Sequence, residues 1–196
     1  MNIEPIVLKG DRVVMEPLSI DHVGPLCEFG FDESVWRWTV NKITTEDQMR
    51  EYVDSALTDQ EKGLALPFVT KVSESDKIVG STRFGNIDAA NRKAEIGWTW
   101  VDPAWQRSFV NTEAKLLMLT HAFEVWGCVR VELKTDALNG KSRNAILRLG
   151  AVEEGIFRNH MITDDGRFRN TAYFSIIDTE WERVKAGLVQ KLRSYQ

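Results

Sequence analysis

Between Ala94 and Leu133 the hydrophobic pattern changes character twice. Ala94–Val101 reads as a strand. Over Asn111–Trp126 the apolar residues fall at helical spacing, with Leu116, Leu119, Phe123 and Trp126 on one seam. Leu117, Met118, Ala122 and Val125 widen that seam to most of the circumference, which predicts a helix buried on more than one side. Gly127 ends it. Val129, Val131 and Leu133 then alternate with Arg130, Glu132 and Lys134, the period of a strand. Two strands joined by one helix run parallel, with a right-handed crossover.

The flanking pattern supplies the other elements. Arg12–Leu18 reads as a strand, and Ser19 as the cap of a short helix reaching Phe31 that contains Gly24-Pro25. Thr45 caps a second helix, Glu46–Lys62, with Met49, Val53, Ala56 and Leu57 on one face and Gly63 as its stop. Leu66–Val72 and Lys77–Ile87 form a hairpin about Ser73–Asp76. A short helix, Lys141–Leu149, closes at Gly150. Ala151–Ile162 and Phe168–Ile177 flank Thr163-Asp164-Asp165-Gly166, a hairpin signal. A last amphipathic helix starts at Asp178 or Thr179 and carries Trp181, Val184, Leu188 and Leu192. The order βααβββαβαββα predicts a mixed α/β fold, a sheet with a central parallel pair flanked by helices. We expect one domain, 1–196, with 178–196 as a C-terminal helical appendage.

Composition narrows the class. A chain of 196 residues, 43% hydrophobic, buries a core without disulfide or metal staples. Lys plus Arg is 25 and Asp plus Glu is 29, so the net charge of −4 argues against a dedicated nucleic-acid binder. Cys27 and Cys128 lack CxxC spacing and the three histidines are scattered, so no metal is expected. No apolar run approaches the roughly 18 residues of a membrane span, and Glu4, Lys9, Asp11 and Arg12 leave no signal-peptide core. The expectation is a cytoplasmic protein with no membrane partner. Strand edges and the Trp181 helix make a homodimer the expected assembly.

In open α/β sheets, ligands bind beyond the carboxyl ends of the parallel strands. Here that place is the loop Asp102–Val110 and the helix start at Asn111, where free backbone N–H groups attract an anion. The loop reads Asp102-Pro103-Ala104-Trp105-Gln106-Arg107-Ser108-Phe109-Val110-Asn111-Thr112-Glu113-Ala114. It resembles the acetyl-CoA pyrophosphate loop of the GNAT N-acetyltransferases. Asn139-Gly140-Lys141-Ser142, followed by Leu149-Gly150-Ala151, resembles that family's second signature. Gly97-Trp98, Trp105 and Asn111–Ala114 are similar to the RimJ/RimL branch, which acetylates ribosomal-protein N-termini. The resemblance implies a strongly bent mixed sheet, acetyl-CoA as acyl donor and an amine acceptor, either a protein N-terminus or a small amine. It further implies a cofactor site of Trp100, Val101, Gln106, Arg107, Ser108, Phe109, Val110, Asn111, Thr112, Asn139 and Ser142. The sequence departs from the family at Phe109, where a loop glycine is usual, and at Ile146, where many members carry a tyrosine as general acid. Ser142 is then the nearest hydroxyl for the leaving thiolate.

Attack of an amine on a thioester needs a proton acceptor, a polarised carbonyl and a stabilised oxyanion. Backbone N–H groups between Trp98 and Val101 are the candidate oxyanion donors. Glu95 is the candidate base, acting through water, although a strand carboxylate paired with a neighbour fits the same pattern. His160 is a second candidate base. An N-terminal amine, with a pKa of about 7.7–8.0, needs less help than lysine at about 10.4. Asn139 and Ser142 read either as catalytic groups or as helix caps. Trp36, Trp38 and Trp98 read either as core residues or as walls of an acceptor cleft, with Trp36 and Trp38 the better candidates for the cleft. Arg83 either lies on a solvated strand face or faces a carboxylate on the acceptor. A competing class is a binding protein, independent of CoA, on the same fold, with Phe109 closing the pyrophosphate loop.

Overall fold

The computed structural model describes residues 1–195. Its strands are β1 (Leu8–Lys9), β2 (Val13–Pro17), β3 (Leu66–Val72), β4 (Lys77–Asp88), β5 (Lys93–Val101), β6 (Arg130–Asp136), β7 (Val152–Ile162) and β8 (Phe168–Ile177). They form one sheet in the order β1-β2-β3-β4-β5-β6-β8-β7. Every neighbouring pair is antiparallel except β5 and β6. The helices are α1 (Val23–Gly30), α2 (Glu33–Trp36), α3 (Glu46–Glu61), α4 (Phe109–Thr120), α5 (Gly140–Leu149) and α6 (Trp181–Arg193). The parallel β5–α4–β6 unit therefore sits in the middle of the sheet, as its hydrophobic periods predict.

Several boundaries differ from expectation for local reasons. The stretch expected as one helix from Ser19 is a 3-10 turn, Ile20–His22, followed by α1. Gly24 and Pro25 fall in the first turn of α1, where the missing N–H of proline costs little. The segment before α3 holds the unexpected α2, capped by Asp32, whose carboxylate accepts from Ser34 N at 2.8 Å. α4 begins two residues early because Ser108 Oγ accepts from Val110 N at 3.3 Å. It ends at Thr120, and His121–Val125 continue as a π-type turn. The two-residue β1 was not expected either. In α6, Trp181, Val184 and Leu188 join the main core, and Gln196 lies outside the described residues.

Two cores cover the two sheet faces. Beneath α4, Phe68, Phe84, Val131 and Phe174 pack with Val110, Ala114, Met118 and Leu119. On the opposite face Val69 and Trp100 pack with Leu26, Trp36, Met49 and Val53 of the N-terminal helices. Burial at about 25 cal/mol per Å² of apolar surface makes these contacts the main stabilising term. Among the described residues no helix is long and apolar enough to cross a membrane.

Strands β5 and β6 pair only from Lys93–Glu95 to Arg130–Glu132 and then part. Just past that point β5 bulges. Arg83 pairs with Gly97 and Ser81 with Trp100, so β5 carries one residue more than β4. The bulge residue is Trp98, at φ +49. A bulky residue there stores about 1–3 kcal/mol of backbone strain, which the surrounding packing must offset.

Candidate active site

The notch between the parted strands is bounded at one end by the start of α4. Asp102 Oδ1 accepts from Ala104 N at 2.9 Å and caps the turn Pro103–Trp105. Ser108 Oγ donates to Trp105 O at 2.7 Å while capping α4. Gln106 Nε2 donates to Val101 O at 3.3 Å, tying the loop to the end of β5. The first-turn N–H groups of an α-helix have no intrahelical partner and attract an anion. Positive φ in this loop falls on Arg107, at +61, and not on Phe109. The Phe109 ring packs against Trp105, with centroids 6.1 Å apart, and under the Arg12 guanidinium at 4.3 Å. The backbone freedom that glycine supplies is thus not needed at position 109. Val110 is buried and offers only its backbone. Asn111 and Thr112 are half-buried on the first turns.

On the face away from α4 a strip of charged and aromatic groups crosses the sheet. Glu95 is 2% exposed. Its Oε2 accepts from Asn86 Nδ2 at 2.7 Å and pairs with Lys134 Nζ at 2.9 Å. Its Oε1 lies against Gly97, only 2.9 Å from where a Cβ would stand, so a side chain at 97 would collide with the carboxylate. The paired-carboxylate reading of Glu95 therefore describes its resting state. Trp98, 39% exposed, lies over Arg83 at 4.3 Å and near Lys134 at 5.8 Å. Gly85 makes room for its ring: a Cβ there would stand 2.3 Å from Trp98 Cζ3. The strip continues through Tyr173, stacked on Phe157 at 4.4 Å, to His160. Burial pushes the Tyr173 phenol up, keeping it protonated.

His160 is exposed, and its Nδ1 is 3.1 Å from Thr171 Oγ1. With Phe157, Arg158, Asn159 and Asn170 it lines an open concavity of about 780 Å³ where β7 bulges. Arg83 is almost fully buried, 3.6 Å from Asp59, with Nε unpartnered. In the resting structure it faces the Trp98 ring and not an open cleft.

Two of the tryptophans differ from expectation. Trp36, expected in the cleft wall, is buried in the N-terminal core, and its Nε1 donates to Gly30 O at 2.5 Å. Trp100 packs tilted or edge-on among Phe29, Trp36 and Tyr52, so only its backbone is free to serve a ligand. Trp38 remains half-exposed between Arg37 and Arg167. A clasp beside it joins the β7–β8 turn to the N-terminal segment. Asp164 N donates to Val40 O at 3.0 Å, Lys42 N donates to Asp164 Oδ2 at 3.1 Å, and Lys42 Nζ pairs with Asp165 at 3.2 Å.

Beyond the end of β6, Asn139 Oδ1 accepts from Ser142 N at 3.0 Å and caps α5. Asn139 thus acts as a cap, which leaves its Nδ2 for a ligand. Ser142 is half-buried and Ile146 is a core residue.

Sequence reasoning passed over Lys115. It is 4% exposed, inside the face of α4 that meets the sheet. Its Nζ donates to Thr99 Oγ1 at 2.7 Å and Thr82 Oγ1 at 3.0 Å, and those two hydroxyls are 2.7 Å apart. Burial alone lowers its pKa to about 7. The signal was present in the spacing: Lys115 stands three and four residues before Met118 and Leu119, on their buried seam.

Residues 12–152 match the acetyltransferase (GNAT) domain family. The chain belongs to the GNAT acetyltransferases and is an enzyme of that family. It is 24% identical over 175 residues to the ribosomal-protein-serine acetyltransferase of Escherichia coli, covering 87% of this chain and 96% of that one. A GCN5-related N-acetyltransferase from Brucella melitensis superposes with TM-score 0.88 at 32% identity, over 96% of this chain and 86% of that one. Mycobacterium smegmatis RimJ, solved with CoA-disulfide, shares the fold with TM-score 0.83 at 20% identity, over 96% of each chain.

Proposed function

We propose that this enzyme transfers acetyl from acetyl-CoA to the α-amine of a protein N-terminus by direct attack on the thioester. The observation that carries the reading is the parted half of β5, with its bulge at Trp98, beside the capped start of α4. Backbone N–H groups from Gln106 to Asn111 would hold the pyrophosphate, and those from Trp98 to Val101 would face the thioester. The amine nitrogen forms a bond to the carbonyl carbon, the C–S bond breaks, and Ser142 hands its proton to the departing thiolate. The amine proton leaves through water toward Glu95. That route requires Glu95 to exchange a resting donor for water, and its unshared Oε1 supports it. The α-amine is favoured over a lysine by its lower pKa, and the open concavity beside His160 suits a peptide.

Thermal unfolding with acetyl-CoA tests the donor. At 100 times Kd a ligand adds about 2.7 kcal/mol, a shift of roughly 5–11 °C for a domain of this size. No shift at millimolar acetyl-CoA would overturn acetyl-CoA as the donor. Thiol release with N-terminal peptides, against the same peptides blocked at the α-amine, tests the acceptor.

A further inference from the structure

Among the described residues, Lys115 is the one buried amine that the proposed reaction leaves without a role. Its surroundings do not explain it as a structural residue. The group is taken out of water with no ion pair, and its partners are two neutral hydroxyls. Glu113, on the same helix, is turned to Arg12, accepting from its backbone N at 3.0 Å. His121, further along the same face, packs on Phe84 and Trp126, and burial favours its neutral form. Arg83 on β4 and Glu95 on β5 lie across the sheet, on the Trp98 face. No charge on the elements packed against it compensates the ammonium, so methionine would fill this space at less cost to folding.

What Lys115 touches is the bulge. Thr99 follows Trp98 directly. Thr82 Oγ1 also donates to Gly97 O at 3.2 Å, the carbonyl just before the bulge. The ammonium thus grips both sides of the strained residue from behind the strand.

We propose that Lys115 is a positioning residue for acyl transfer: through Thr82 and Thr99 it fixes the bulge of β5 and sets a positive charge behind the carbonyl oxygen that becomes the oxyanion. The assignment rests on the acetyltransferase reading and adds to it a source of electrostatic stabilisation besides the backbone donors. A preorganised cation in a dry site acts more strongly on developing charge than it would in water.

The test compares the unsubstituted enzyme with Lys115→Met and with Thr99→Val. The second variant removes one grip and keeps the charge. We expect Lys115→Met to fold, to melt no lower than the parent at pH 6, and to keep its acetyl-CoA thermal shift. Its kcat should fall at least 100-fold with KM within a few-fold. The parent's kcat/KM should decline above pH about 7, as the free amine loses its proton, and Lys115→Met should lack that limb. Thr99→Val should lower kcat by a smaller factor and keep the limb, whereas Thr99→Ser should restore kcat. If Lys115→Met keeps kcat within three-fold and the parent's pH profile, the assignment is overturned while the acetyltransferase reading stands. Should Lys115→Met fail to fold, an unchanged kcat in Thr99→Val overturns it instead. No acetyl-CoA shift in the parent overturns both.

Discussion

Glu95 and Lys115 are buried to nearly the same degree on opposite sides of the same strand, yet the protein treats them differently. Glu95 is met by an ammonium and an amide. Lys115 is met only by two threonine hydroxyls. The first arrangement compensates a charge; the second leaves one exposed to the field of whatever binds in the notch. An ionisable group held this way has a depressed pKa and a charge that responds to its neighbours. The contrast teaches that degree of burial does not rank these groups. What separates them is whether the fold itself supplies the counter-charge.

The largest test of that contrast is the pH dependence of stability. The Lys115 amine has a folded pKa of about 7 against an ordinary value of 10.5. Between those values the unfolded chain binds a proton that the folded chain lacks, so the parent gains stability relative to Lys115→Met as pH rises. At about 1.4 kcal/mol per pKa unit, the gap should move by on the order of 4 kcal/mol between pH 7 and 10. Urea unfolding of both proteins across that range measures it; a constant gap would mean Lys115 titrates normally.

Breaking the compensated side should cost somewhat less. Glu95→Ala leaves Lys134 and Asn86 without their acceptor, and we expect a loss of about 3 kcal/mol in urea unfolding at pH 7. A loss under 1 kcal/mol would show that Lys134 simply turns to water. Next comes Gly85→Ala. Its Cβ would stand 2.3 Å from the Trp98 ring, so the ring must leave the β4 surface. We expect about 1–3 kcal/mol of destabilisation and a red-shifted tryptophan emission. The smallest effect belongs to the cap of α5. Asn139→Ala should cost about 1 kcal/mol by removing the acceptor for Ser142 N. A kcat loss far beyond what that cost explains would show Asn139 touching the substrates as well.

The parallel crossover was legible because β5, α4 and β6 each carry a clean period, and the loop before α4 carried the resemblance to the pyrophosphate loop. The bulge was not legible. A reader assigning positive φ in this stretch would choose Gly97, but the structure gives it to Trp98, while Gly97 makes room for the Glu95 carboxylate. Trp36 misled because α2, a short helix that the pattern does not predict, turns its indole into the core. Lys115 was hidden by its own chemistry. A charged residue in an apolar helix is ordinarily assigned to the wet face, and only its register with Met118 and Leu119 contradicts that.

The clasp between the β7–β8 turn and the N-terminal segment joins groups about 120 residues apart through exposed hydrogen bonds and one exposed ion pair. Such exposed contacts are worth at most about 1 kcal/mol each. The clasp is therefore a latch that springs open far more often than the domain unfolds. In deuterated solvent the amides of Lys42 and Asp164 should exchange well ahead of those in β5. That early exchange would time how often the rim beside Trp38 opens.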